Sequence, residues 1–247
     1  MLRSIDDLEK GFRNVSNKSR KECGKKLEEI RKLTFVSGVF FKSFWSFTKK
    51  RARAKNEVGA WGHSLNHACL LELFRTSGNI LFLTSNGLYR NAFDEIRHTL
   101  ESIVQAIYID NRHPNAPLGT RIEILKEIED KREYHAVRLI DELKIGHKDK
   151  LRAEYKELSR MIHPSHRQIM NLMRDMKMDE KGIPITVDCE EVSNIYESMK
   201  KMYDIFFFLI LNHSPELTEF MKKDSDVSNS VKRFKLSRVA GFIDVKL

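Results

Sequence analysis

The chain has 247 residues, 41% of them hydrophobic, and a net charge of +9. That length can bury a sizeable core, while 11 Gly and 5 Pro supply too few turns for an all-β protein. Its Lys, Glu, Arg, Leu, Ile and Met favour helices, so the composition reads as all-α. The longest apolar run, 205–211, falls far short of the ~20 residues of a membrane span. A charged start without an apolar core is not a secretory signal, and the reading is a soluble, cytoplasmic protein. Cys23, Cys69 and Cys189 are widely spaced, odd in number and without a CxxC pair, which argues against a disulfide framework or a zinc knuckle. No metal or other cofactor is expected.

Charge divides the chain. Residues 1–57 hold 16 Lys/Arg against 7 Asp/Glu, the whole excess, and residues 222–247 hold 7 against 3. The middle is mildly acidic. Basic ends of this kind suit RNA or another polyanion, because each cation near a phosphate releases a condensed counterion. A solvated, solubility-promoting face is the plainer reading of the same charge.

About eight helices are expected. Residues 6–33 are mostly charged with sparse apolar positions. Residues 34–54 form an amphipathic aromatic helix, with Phe35, Phe40, Phe41, Phe44, Trp45 and Phe47 followed by a basic end. Such a helix packs in a core, at a dimer contact or on a membrane surface. A helix over 59–83 meets a Ser85-Asn86-Gly87 junction, and a second long helix runs to about Tyr108. Pro114 and Pro117 mark a loop, and core helices follow over 120–143 and 148–162. Residues 176–187 read as a loop, 191–212 as a helix ending in the apolar block, and the tail after Pro215 as one or two short helices. The organisation is a basic helical extension (1–57), a helical-bundle core (58–214) and a basic C-terminal tail (215–247).

The candidate site lies on the second long helix. Arg90, Asp94, Arg97 and Glu101 recur at steps of four, three and four residues, within about 60° of one another around the axis. Isolated on a solvated face, each Arg/acid pair contributes only ~0.3–0.5 kcal/mol. Here Val104 and Tyr108 continue the stripe, so its lower end is apolar and covered, and a partly buried Arg/Glu row needs partners. His163 is one candidate. It precedes Pro164, which disfavours helical geometry at the residue before it, so His163 sits at a helix break where its ring can face a cleft. Capping of the broken backbone is the plain alternative. Arg160, three residues before His163 and six before His166, adds a phosphate clamp beside two bases. His63 and His67 share the i, i+4 spacing of a metal pair, but no Glu completes an HExxH motif, and surface histidines are the favoured reading.

The run LLELFRTSGNILFLTSNGLYRNAFDEIRHTLESIVQAIY with YKELSRMIHPSH resembles a group of uncharacterised all-helical prokaryotic proteins. Their signature falls here on Gly87, Ala92, Arg97, Glu101, Leu158, Ser159, His163 and Pro164. More distantly the chain resembles the HEPN superfamily of helical bundles, which includes ribonucleases of toxin and defence systems. Those place an R-x4–6-H motif at a dimer cleft. The resemblance covers roughly residues 65–170. It implies a HEPN-like bundle, homodimeric, acting on RNA without a metal in a defence or stress system. His163 or His166 would be the base, Arg97 or Arg160 the clamp, and Glu101 the residue orienting the clamp. Met161 departs from the pattern, since active HEPN motifs usually carry a polar residue after the Arg. Many HEPN-like domains bind without cleaving, and a non-catalytic module holding nucleic acid or a partner protein through its basic ends is the alternative.

Overall fold

The computed structural model describes residues 5–55, 64–130, 136–143, 145, 148–162 and 187–247. Among them every regular element is a helix, and there are ten where about eight were expected. α1 (Ile5–Lys55) is one long element with a break in helical geometry at Cys23 (φ −111°, ψ 15°). Its apolar residues recur every three or four positions, Leu27, Ile30, Leu33, Val36, Phe40 and Phe44, and all are buried. The aromatic stretch is divided: Phe40 and Phe44 are core, while Phe35 and Trp45 are exposed. Phe40 stacks on Phe207 with ring centroids 3.7 Å apart.

α2 (Leu65–Ser85) and α3 (Tyr89–Arg112) form a tight antiparallel hairpin. The reversal is made by Gly87, whose φ of 73° a side chain would resist. Leu88 N–H donates to Leu83 O (2.9 Å) and Gly87 N–H to Thr84 O (3.2 Å), which closes the end of α2 in a Schellman motif. α3 is the central helix, packed against α2, α6 (Lys148–Ile162) and α7 (Cys189–His213), with Ile96, Ile103, Ile107 and Ile109 fully buried. α7 starts on an Asp188 cap whose carboxylate accepts from Glu190 N (2.8 Å) and Glu191 N (3.2 Å). Its residues 202–211 are buried all round, as expected of a helix apolar on every face.

The expected single helix over 120–143 is two, α4 (Leu118–Asp130) and α5 (Ala136–Glu142). The tail after Pro215 forms three helices, α8 (Pro215–Lys222), α9 (Ser225–Phe234) and α10 (Ser237–Phe242). The extra helices of the tail are held by caps. Asp224 caps α9 through Asp226 N and Val227 N, and Asp204, far away in sequence, accepts from Arg238 N and Val239 N at the start of α10. Caps stabilise helices too short to persist alone.

The expectation of a chain without disulfides is corrected. Cys23 and Cys189 are bonded across 166 residues, with Cα atoms 5.4 Å apart, and tie the break in α1 to the first turn of α7. Sequence spacing could not reveal this pair because tertiary packing alone brings the two helices together. Among the described residues, no helix is long and apolar enough to cross a membrane.

Candidate functional site

Only the lower half of the expected row, Arg97 and Glu101, faces α6, and a polar seam forms there. Arg97 Nε–H donates to Glu101 Oε1 at 2.9 Å. Tyr155, from the buried face of α6, donates its hydroxyl to that same oxygen. His98 Nδ1 lies 3.3 Å from Glu101 Oε2, and its Nε2 lies 3.8 Å from Asp94. The Arg97 and Glu101 side chains are only 23% and 19% exposed, so theirs is not a freely solvated surface pair.

Two groups of the seam are shifted by their surroundings. Burial pushes the Tyr155 phenol up, and its bond to the Glu101 carboxylate pushes the same way. Tyr155 therefore stays a donor. Burial opposes the charge on Arg97, but its hydrogen bonds to Tyr155 and Glu101 and the charge of the Glu101 carboxylate outweigh it and raise its pKa. The result is a permanent cation oriented by Glu101 and partly open to solvent: a geometry able to bind a phosphate or carboxylate.

The remaining expected site residues are placed differently. Arg160 is exposed in the last turn of α6, about 140° around the axis from Tyr155, so it starts on the solvent side. His163 and His166 lie outside the described residues. The cross-helix partner of Glu101 within them is Tyr155, whose place in a core helix gives no sign of this contact. Arg90 is exposed, and Asp94 turns to His98.

Two other polar centres escaped sequence reasoning. Asp110 accepts from Ser64 Oγ (2.6 Å) and from the backbone N–H groups of Leu65 and Asn66 (3.3 Å each), so it caps α2 from the end of α3. Arg121, only 5% exposed, closes the same carboxylate at 2.6 Å and donates to Ala116 O and Pro114 O. Every one of these bonds is structural. A charged residue inside the run YIDNR was the available signal. Farther along, Arg238 joins Asp204 of α7 to Glu154 of α6, fastening α10 to both.

His63 lies outside the described residues. His67 packs its ring against Phe44, centroids 4.6 Å apart, beside a cavity of about 260 Å³ also lined by Asn66, Arg51 and His213. Among the described residues no three His, Cys, Asp or Glu side chains converge as a metal site. Burial pushes the Cys69 thiol up to about 12, which removes it as a thiolate nucleophile at neutral pH.

Fold and seam together define an all-α bundle with a buried-edge Arg/Glu/Tyr cluster. Comparison with protein-family models, with curated proteins and with solved structures gives no match to this chain.

Proposed function

We propose that the protein is a HEPN-like helical bundle that acts on RNA as a homodimer, in a defence or stress system, with the α3/α6 seam forming one wall of its site. The observation that carries this reading is Arg97, a fixed cation whose carboxylate partner is itself held by Tyr155. In the cleavage reaction, Arg97 binds a non-bridging phosphate oxygen and Glu101 orients the guanidinium. His163 or His166 removes the 2′-hydroxyl proton. The 2′ oxygen then bonds to phosphorus, the bond to the 5′ oxygen breaks, and a proton from the other histidine or water completes the 5′-hydroxyl product. Arg160, on the solvent side of the same helix end, provides an outer phosphate contact.

The test is cleavage of a labelled mixed RNA pool by purified protein in EDTA, beside Arg97→Ala and His163→Ala. Cleavage by the parent alone, with either variant slower by about 10²–10³-fold, supports the assignment. Equal rates in parent and variants would remove it.

A second, non-catalytic reading has its own observation. Lys10, Arg13, Lys18, Arg20, Lys21 and Lys25 are exposed along the first part of α1, before its aromatic stretch enters the core. RNA held there by charge binds with strong salt dependence and survives loss of His163. Deleting residues 1–57 would also remove core residues such as Phe40 and Phe44, so charge reversal at Lys18, Lys21 and Lys25 is the cleaner experiment. Unchanged RNA binding after that reversal rules this reading out.

A further inference from the structure

Seven large apolar side chains are exposed among the described residues, and five of them, Phe35, Trp45, Leu71, Phe74 and Phe82, stand on α1 and α2. Trp45 and Phe74 are joined through Phe41, and helix register sets the others along the same two helices. Phe41 stacks against both Trp45 and Phe74, with ring centroids 6.4 Å and 6.2 Å apart. The two helices approach closely here, because a Cβ on Gly38 would lie 3.4 Å from the Phe74 ring. With Phe41 level with Phe74 on antiparallel helices, Trp45 falls level with Leu71, and Phe35 with Phe82. On α2 itself, Leu71, Phe74 and Phe82 fall within about 80° of one another. The strip is about 15 Å long, from ten residues at 1.5 Å each. Its outer rings stand proud, Phe35 at 62% and Phe82 at 65% exposure, so the face is a ridge.

Charge selects the partner. Between Glu29 and Glu57 the sequence has eight Lys/Arg and no acid. Lys49 sits 5.1 Å over the Trp45 ring and Arg31 5.9 Å over Phe35, placing cations at both ends of the strip. The acids nearest it, Glu72, Glu28 and Asp226, are paired with Arg75, Arg31 and Lys42, so the net positive charge of the strip comes from the other cations, Lys49 and Lys50 among them. A second copy docked by a two-fold axis would set this basic rim against itself. A partner that is flat, apolar beneath and anionic on top fits instead. We infer that the α1/α2 face lies on an anionic lipid surface, its aromatic rings entering the boundary between headgroups and acyl chains while the rim cations meet the headgroups. Neither helix is apolar enough to cross the bilayer, so this is surface attachment.

The experiment uses the full chain with vesicles of phosphatidylcholine alone and of phosphatidylcholine mixed with phosphatidylserine, read by co-sedimentation. The parent is expected to pellet with the anionic vesicles only. A Phe35→Ser/Phe82→Ser variant keeps every cation and buries no less of the core, and should bind about tenfold or more weakly with an unchanged helical circular dichroism spectrum. Equal binding by that variant would assign attachment to the basic ends and overturn the inference, as would a parent that stays in solution. A dimer in vesicle-free solution that this variant dissociates, without vesicle binding by the parent, would assign the face to a second copy. Should the variant not fold, acyl-chain-brominated lipid decides with Trp61→Phe protein: quenching of Trp45 supports insertion, and unquenched fluorescence refutes it.

Discussion

Tyr155 and Arg97 share one acceptor: the phenol of α6 and the guanidinium of α3 both donate to Oε1 of Glu101. The shared oxygen couples helix packing to the position of the candidate phosphate-binding cation. Removing the hydroxyl from α6 therefore affects stability and the site together. Tyr155→Phe should cost about 1–2 kcal/mol in urea unfolding, since Glu101 loses one buried donor and keeps the other. If the proposed function holds, RNA cleavage by this variant falls more than its stability loss explains, because Glu101 no longer holds Arg97 in one orientation. A variant as stable as the parent would show that the hydroxyl bond contributes nothing net.

Arg121 is the most deeply buried cation described, and Asp110 is its counter-ion. Arg121→Ala leaves a carboxylate near the core with only its cap and hydroxyl donors, and should destabilise by about 3–5 kcal/mol. The double variant Asp110→Ala/Arg121→Ala should lose less than the sum of the singles. Denaturant unfolding of all four proteins measures this, and additive losses would mean the two charges act independently.

His213 gives a pH dependence. Burial lowers its pKa from the usual 6.5, with the Asp110 charge opposing that shift. The folded state thus prefers the neutral ring, and the unfolded state takes up the proton first as pH falls. This group's contribution is full above about 6.5 and is lost as pH drops through the lower folded-state value. The melting temperature should fall across that window, and His213→Gln should flatten this part of the profile. Parallel profiles for parent and variant would show that another group sets the slope.

The disulfide gives a thiol count. Denatured without reductant, the chain should show one reactive thiol, Cys69, and three after reduction. Because the bond closes a loop of more than one hundred residues, reduction should lower stability by about 3–5 kcal/mol. Three thiols without reductant, in protein purified under oxidising conditions, would show that the pair is not bonded.

Arg160 separates local from seam chemistry. Being exposed, Arg160→Ala should change stability by less than about 0.5 kcal/mol. Under the proposed function it weakens RNA binding and reduces its salt slope by about one unit. An unchanged slope would remove Arg160 from the interface.

The sequence by itself determined that the chain is helical, and it located the ends of α6 and α7 and the turn between α2 and α3. Period and punctuation are local: the 3.6-residue spacing of Ile96, Leu100, Ile103 and Ile107, Gly87 at the hairpin and Pro215 at a first turn can be read without a partner. The Arg97/Glu101 pair was legible for the same reason, being four residues apart on one face. What the tertiary structure decided is who meets whom. Tyr155 reaching Glu101, Asp110 capping a helix that begins forty-five residues earlier, Asp204 capping α10, and Cys23 finding Cys189 all join residues distant in sequence. Tyrosine at a core position and aspartate near a helix end carry no mark of their partner. Only the packing of α1, α2, α3, α6, α7 and α10 brings those atoms within bonding distance, because side-chain hydrogen bonds and ion pairs act over a few ångströms and neighbours along the chain do not reveal them.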